Sequence, residues 1–461
     1  MKNVDTLTIG AGGGAYPAAF RLARTGRQVV MIDSKGIMSG NCLAEGCVPS
    51  KAIREVSGMV HTSRKGSTFG FKADLTVDYA GIVAHKDSVQ KLRYAQHDQE
   101  LQAISERLSV VKGVARFVDP HVVDVEGESG TDRYHADHIV LASGSDIIIP
   151  HIPGTDLCWT SRDLYALHPN VTTLPRTLVV VGGGYIGLET ASFYTNLGVK
   201  VTVAEMTNQL LPGMDPDFVS LLAPMLDPKI GVELGAAVQR IERNQNNFRV
   251  IYQQDNVERQ IDAEAVLMAV GRAPVLPAGT AEIGIKIEHG RPLVNSAIQT
   301  NYPHIYAAGD VNGRSMLFHS AVRQSLVAAE NILHQDQAVD YMDWNSVPTT
   351  IFTFPEAAYV GLTRHSAKAH EIDVLEASYD FSEDTRAQIL DETRGELRLF
   401  FEAGSMRLLG GWIVGVDAGN LVGEIGIAVA NGLTAYDLAR FPDQHPMASE
   451  GIGKAARRLV A

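Results

Sequence analysis

Residues 5–33, DTLTIGAGGGAYPAAFRLARTGRQVVMID, are echoed by residues 176–205, RTLVVVGGGYIGLETASFYTNLGVKVTVAE. Each stretch reads as an apolar strand, a glycine turn, a helix carrying small residues and a second strand that ends in an acid. The interval is constant: Gly10 to Gly182 and Asp33 to Glu205 are both 172 positions (182 − 10 and 205 − 33). A lone G-x-G-x-x-G pattern says little. A glycine turn that follows a strand, opens a helix and precedes an acid 23 positions later (33 − 10) supplies the context a dinucleotide-binding fold requires. Gly10 and Gly182 permit the tight turn, Gly12 and Gly184 let the backbone approach a pyrophosphate, and Ala15 and Gly187 allow close helix–strand packing. The helix N-terminus faces the anion, and Asp33 and Glu205 can accept hydrogen bonds from a ribose diol. Two such units predict two dinucleotides. Glu205 is followed by Met206, Thr207 and Asn208 and not by arginine. It favours NAD over NADP, because a carboxylate repels a 2′-phosphate.

Outside these units the chain offers more strands that end at glycine. HIVLASGS (138–145) and AVLMAVGR (265–272) are alike, and YAAGD (306–310) ends on an acid. Ligands of doubly wound sheets sit at such carboxyl ends. Tyr79 to about Leu108 is polar with a helical period, and predicts a long exposed helix with its charges on a solvated face. Residues 110–126 and 132–142 read as strands. From about Tyr341 the pattern changes to strands with two later helices and no glycine fingerprint. The expected fold class is α/β, with two Rossmann-like dinucleotide-binding domains and a C-terminal α+β domain.

The 461 residues carry a net charge of −13, with 45% apolar and 20% charged residues. Such a chain is an ordinary globular protein and a poor partner for duplex nucleic acid. No apolar run is long enough to span a bilayer. The start, MKNVDTLTIGAGGG, enters a strand without the regions of a signal peptide, so a cytoplasmic protein is expected. There are three cysteines, and two of them lie in GNCLAEGCVPSK (40–51). In that compartment a close pair is more often redox-active or metal-binding than structural. Zinc needs four ligands, and only His61 is near, so no metal is expected. Two idle buried thiols are the bland alternative. A reversible disulfide needs Cα atoms about 4.4–6.8 Å apart, whereas an ideal helix turns residues i and i+5 to different sides. The turn must therefore be distorted at Gly46. Pro49 is tolerated in a first helical turn, and a helix N-terminus lowers the pKa of a nearby thiol.

Together these features resemble the flavoprotein (pyridine nucleotide) disulfide oxidoreductases, nearest in pattern to the dihydrolipoamide dehydrogenases, over nearly the whole chain. The resemblance implies FAD at the first fingerprint and NAD at the second. It implies an FAD domain in two parts (1–150 and 273–342), an inserted NAD domain (151–272) and a dimerisation domain (343–461). GNCLAEGCVPSK matches the redox segment, implying Cys47 as the flavin-facing sulfur and Cys42 as the substrate-exchanging one. GVARF (113–117) implies Ala115 near the adenine of FAD, and YAAGD implies Asp310 at the flavin's ribityl or phosphate region. SMLFHSA (315–321) is similar to the next FAD segment and implies Met316, Leu317 and His319. Ser143 and Gly144, and Val238 and Gly271, are implied at the first and second nucleotides. VPTTIFTFPEAAYVG (347–361) is similar to the opening of the dimerisation domain. HPMASE implies His445 as the base and Glu450 as its orienting carboxylate, reaching the active site of the other subunit.

By the same resemblance Lys51 lies by the flavin and pairs with Glu189. The implied activity is oxidation of dihydrolipoyl groups on a carrier protein, with NAD+ reduced. Departures are Ala44 for the usual asparagine, Asp33 for the commoner glutamate, Met447 for threonine, and Tyr185, which is similar to a nicotinamide-gating tyrosine of glutathione reductases. They leave room for NAD(P)H-dependent reduction of a small disulfide, for a specialised lipoylated carrier served in the reductive direction, or for a subunit role in a larger assembly. The chain lacks a C-terminal cysteine pair, which argues against mercuric and large thioredoxin reductases.

Overall fold

The computed structural model describes residues 1–38 and 40–461. The chain opens with β1 (Lys2–Ile9), α1 (Tyr16–Arg24), β2 (Val29–Asp33), α2 (Gly40–Glu45), α3 (Cys47–Arg64) and α4 (Tyr79–Gln102). It continues through β3 (Leu108–Lys112), β4 (Val114–Phe117), β5 (Val122–Gly127) and β6 (Gly130–Leu141). The strands form one sheet in the order β3-β2-β1-β6-β5-β4. Pairs among β3, β2, β1 and β6 are parallel, and β6-β5-β4 is an antiparallel meander. A parallel sheet is covered on both faces and needs near-continuous apolar strands. Leu7, Met31, Ile139 and Leu141 accordingly have no exposed surface. The strand Ile305–Ala307 returns to this sheet and pairs in parallel with β6, Ile305 opposite Ile139. The helix Phe318–Leu333 follows and locks onto α1, where Ser325 Oγ accepts from the Ala18 N–H at 2.9 Å.

Between these passes lies a second parallel sheet in the order Gly231–Leu234, Lys200–Glu205, Thr177–Val181, Ala265–Met268. An antiparallel meander of Ala237–Asn244, Asn247–Gln254 and Val257–Ala263 accompanies it. The last part is a five-stranded antiparallel sheet in the order Thr349–Ile351, Ala357–Gly361, Leu408–Val414, Glu396–Glu402, Val374–Asp380. The architecture is thus mixed α/β, with two parallel nucleotide-type sheets and a C-terminal antiparallel sheet.

Two expectations are corrected. The polar helix stops at Gln102, and only one side of it is solvated: Lys91, Arg93, Asp98 and Glu100 are exposed, but Lys86, Asp87, Gln90 and His97 are buried. Burial of Lys86 is tolerable because each of its three N–H donors has an acceptor. These are Gln90 Oε1 at 2.9 Å, the Ala166 carbonyl at 2.6 Å and Asp87 Oδ1 at 2.5 Å. The C-terminal part ends in three helices rather than two, Ala418–Ala430, Ala435–Arg440 and Glu450–Val460. The break at Gly432 and the capping box of Thr434 and Asp437 divide what read as one segment. The two fingerprints keep one register: the Tyr16 N–H donates to the Gly12 carbonyl at 3.0 Å and the Leu188 N–H to the Gly184 carbonyl at 2.9 Å, at equivalent positions of the two units.

Candidate active site

The short helix α2 and the long helix α3 meet at Gly46, whose φ of −130° and ψ of −111° break the helical path. The break is the distortion the Cys42–Cys47 spacing demands. Both cysteines are free thiols here. They are hydrogen-bonded to each other, with the Cys42 thiol donating to the Cys47 sulfur. That bond brings the thiol of the exposed Cys47 down to about 7, and the neighbouring Lys51 ammonium adds to the effect. The same bond and burial push the Cys42 thiol well up. The bond thus favours negative charge on Cys47 and the proton on Cys42. Cys158, the third thiol, is remote in the fold, and burial raises it to about 12.

One turn into α3, Lys51 Nζ meets Glu189 Oε2 at 2.6 Å and lies 4.4 Å from the centre of the Phe352 ring. Glu189 stands on the helix of the second fingerprint, and its Oε1 accepts from the Phe352 N–H at 3.1 Å. Arg54, a turn further along, reaches Glu356 at 2.5 Å. The redox helix is thereby tied to both the second nucleotide unit and the antiparallel sheet.

The nucleotide turns have the geometry that a pyrophosphate needs. Gly10 (φ +114°) and Gly182 (φ +107°) are pressed on neighbouring strand ends, and a Cβ there would lie 2.1 Å from the Ala142 oxygen and 2.4 Å from the Ala269 oxygen. A Cβ at Gly187 would lie 2.0 Å from the Gly182 oxygen, so only glycine allows that helix to sit so close to its strand. At Gly184 a Cβ would meet nothing within 4 Å. Open space thus lies in front of the helix N-terminus where an anion is best held. Gly12 faces the Cα of Gly40, so α2 crosses close over the first turn. Ala15 caps α1.

Asp33, at the end of β2, accepts from the Lys35 N–H with Oδ1 at 2.8 Å. Glu205 is buried and accepts from the Gly183 N–H at 2.7 Å and the Thr207 N–H at 2.8 Å. Asp310 accepts from the Ser145 hydroxyl at 2.6 Å. Ser143 donates to the Val275 carbonyl, and Gly144 and Gly271 take φ of +75° and +117° at their strand ends. Ala115 is buried in β4 and Val238 lies half-buried in the meander. Met316 and Leu317 lead into the helix at Phe318, and His319 bonds the Pro348 carbonyl at 2.7 Å. The Tyr185 hydroxyl reaches Met214 Sδ and the Tyr359 hydroxyl, each at 3.2 Å.

His445 and Glu450 form their own pair, Nδ1 to Oε1 at 2.8 Å. Lys454 approaches the other carboxylate oxygen at 3.2 Å and bonds the Tyr379 hydroxyl at 3.1 Å. Burial of Glu450 opposes its ionisation, but the bonds from His445 and Lys454 outweigh it and hold the carboxyl below its usual range. The imidazole is 65% exposed, so its second nitrogen is open to a partner. Among the described residues neither group bonds to the cysteine helices of its own chain.

Sequence reasoning missed a polar network behind the thiols. Asn41, beside Cys42, donates to the Ser145 carbonyl at 2.7 Å. Arg272 grips Ser145 through both its carbonyl and its hydroxyl, at 2.8 and 2.9 Å. Arg162 forks onto Glu45 at 2.7 and 3.1 Å and reaches Asp146 at 2.9 Å. Only Arg272 carried a sequence signal, since it directly follows the strand-ending Gly271. No described helix is long and apolar enough to cross a membrane. Among the described residues no cluster of three or more His, Cys, Asp or Glu is arranged to hold a metal ion.

Two nucleotide turns, a dithiol at a broken helix and a His–Glu pair on a separate antiparallel domain define an enzyme of dithiol–disulfide exchange coupled to nucleotide redox chemistry. Residues 4–325 match the pyridine nucleotide-disulphide oxidoreductase family, and residues 347–456 match that family's dimerisation domain. The chain belongs to this family of FAD flavoproteins that use a pyridine nucleotide, and its relatives are dihydrolipoyl dehydrogenase-like. It is 34% identical to a dihydrolipoyl dehydrogenase of Geobacillus stearothermophilus over 98% of this chain and 95% of the relative. It is 32% identical to one of Thermus scotoductus over 100% and 98%. Among solved structures, LpdA of Mycobacterium tuberculosis superposes with a TM-score of 0.89 at 26% identity, covering all of both chains. The HOCl-induced flavoprotein disulfide reductase RclA of Escherichia coli, as its Cu(II) complex, superposes with a TM-score of 0.87 at 25% identity, again over all of both chains. The dimerisation domain supports a homodimer.

Proposed function

We propose that this enzyme oxidises dihydrolipoyl groups presented by a carrier protein and reduces NAD+, through a Cys42–Cys47 disulfide that opens and closes in each turnover. The observation that carries the reading is the dithiol set at the helix break of Gly46, with Lys51 one turn on and held by Glu189 at 2.6 Å, where the surroundings favour charge on Cys47 over Cys42. FAD and NAD, when bound, supply electron-pair and hydride transfer. The turn at Gly10 with Asp33 and Asp310 would hold the first, and the turn at Gly182 with Gly184 and Glu205 the second. We divide the chain accordingly into 1–150 with 273–342 for FAD, 151–272 for NAD and 343–461 for the dimer contact.

In the oxidised state a dihydrolipoyl thiol gives its proton to His445 of the other subunit and attacks Cys42. The Cys42–Cys47 bond breaks, and Cys47 leaves as the thiolate that its surroundings favour. The second lipoyl thiol then displaces Cys42 from the mixed disulfide, which frees lipoyl disulfide and two reduced cysteines. Glu450 fixes the imidazole and stabilises its cation, as the carboxylate of a hydrolase triad does. Lys51, held by Glu189, keeps positive charge near the thiolate. The carboxylate of Glu205 favours NAD over NADP.

The test is anaerobic mixing of the holoenzyme with dihydrolipoamide and then NAD+. A long-wavelength thiolate–flavin band followed by NADH supports the reading. A flavin that stays oxidised removes free dihydrolipoamide as substrate, and NADH with a panel of small disulfides then tests the reductase alternative.

A further inference from the structure

In an unbroken helix the amide of residue 47 would donate to the carbonyl of residue 43, and that of 48 to that of 44. The break at Gly46 undoes both bonds. The freed N–H groups of Cys47 and Val48 turn to the sulfur of Cys42. The freed carbonyls of Leu43 and Ala44 would be buried without partners, since both residues are buried, and an unsatisfied buried carbonyl is costly. One side chain takes both: Gln90 Nε2 of α4 donates to the Leu43 oxygen at 2.8 Å and to the Ala44 oxygen at 3.1 Å. Gln90 has no exposed surface. Its amide orientation follows from Lys86, which can only donate and sits 2.9 Å from Gln90 Oε1. The NH2 group therefore must face α2. Lys86 is itself fixed by the Ala166 carbonyl and Asp87, and Asp87 pairs with His168 at 3.1 Å.

We propose that Gln90, oriented by Lys86, is a positioning residue for the redox pair: by taking the carbonyls of Leu43 and Ala44 it releases the Cys47 and Val48 amides to cradle the Cys42 sulfur. It touches neither thiol. Without it the two carbonyls recover partners only by winding α2 into α3, which withdraws the two N–H groups from Cys42. The cradle favours the Cys42 thiolate, the form that attacks or leaves in each exchange.

The proposal rests on the reading of Cys42 as an exchanging thiol, and the test keeps the two apart. In the Cys47→Ser holoenzyme, Cys42 is the one thiol of the pair, and its alkylation by iodoacetamide is followed against pH by peptide mapping. Adding Gln90→Glu keeps the partner of Lys86 but replaces the donor with an acceptor. The expected result is a Cys42 titration moved up by about one unit, so that alkylation near pH 7 slows about tenfold while the fully ionised rate at high pH is unchanged. A merely structural role would lower the melting temperature without moving this profile. An unchanged profile with flavin retained overturns the proposal. Should Gln90→Glu lose its flavin, Lys86→Gln decides, with a smaller slowing in the same direction expected and no slowing overturning it. The assay uses neither NAD nor dithiol. A failure of the substrate reading would therefore leave the Gln90 result standing, and the reverse also holds.

Discussion

Lys51 Nζ lies 2.6 Å from Glu189 Oε2, a half-buried ion pair that joins the redox helix to the helix of the second nucleotide unit. The same carboxylate accepts the Phe352 N–H of the antiparallel domain, so three parts of the fold converge on one side chain. Glu189→Gln cannot serve both partners. Its amide either sets an N–H2 group against the ammonium or leaves the Phe352 N–H unpaired. Loss of one partner of a fully buried pair costs 3–5 kcal/mol. This pair is partly exposed, so about 1–3 kcal/mol is expected. The check is a lower urea midpoint at unchanged slope, with slower reoxidation of the reduced thiols.

The two glycines of the second turn should separate binding from folding. Gly184→Ala introduces a methyl group into open space. Stability should stay within about 0.5 kcal/mol of wild type, while NAD affinity falls by about tenfold or more because the pyrophosphate can no longer approach. Gly187→Ala sets a Cβ 2.0 Å from the Gly182 oxygen and should destabilise the whole unit. Calorimetry with and without NAD distinguishes the two.

The thiol pair predicts a pH dependence. The Cys47 thiol is lowered in the folded chain from 9.0 to about 7, chiefly by the Cys42 hydrogen bond. A depressed pKa stabilises the fold fully above the unfolded value near 9. That contribution is lost as pH falls towards about 7. Thiolate absorbance of the reduced enzyme should accordingly fade as pH drops through about 7. In Cys42→Ala, which lacks the donated hydrogen bond, the fade should occur at higher pH. An unmoved titration in that variant would show that Lys51 dominates instead.

His445 and Glu450 bond to each other and not to the thiols of their own chain. His445→Gln should lower turnover by about 10²–10⁴-fold. If the active site is shared between subunits, refolding it together with equal Cys42→Ser protein restores roughly a quarter of wild-type activity, from mixed dimers with one intact site. A site built within one chain would show no recovery.

The repeated turns, the acids that follow them and the close cysteine pair were legible, because each is set by near neighbours in the chain; the C-terminal His–Glu pair was legible only through family resemblance. A glycine turn needs its glycines in place, and the Cys42–Cys47 spacing demands a broken helix whatever surrounds it. Lys51 with Glu189 was legible only through family resemblance, since 138 positions separate them.

What the sequence determined alone was thus a pair of nucleotide units, the break at Gly46 and the chemical class of the side chains beside it. The tertiary structure decided which polar residues are structural. VAHKDSVQKLRYAQ has the composition of a surface helix, and its period does not reveal that Lys86, Asp87 and Gln90 face inward. Gln90 turns in to the carbonyls of Leu43 and Ala44, and Lys86 turns in to Gln90, Asp87 and the Ala166 carbonyl, all contacts made by the assembled fold. Likewise the grip of Arg272 on Ser145 and the fork of Arg162 on Glu45 arise from elements far apart in the chain. Hydrogen-bond satisfaction in a buried site is a property of the assembled fold, and local pattern carries no record of it.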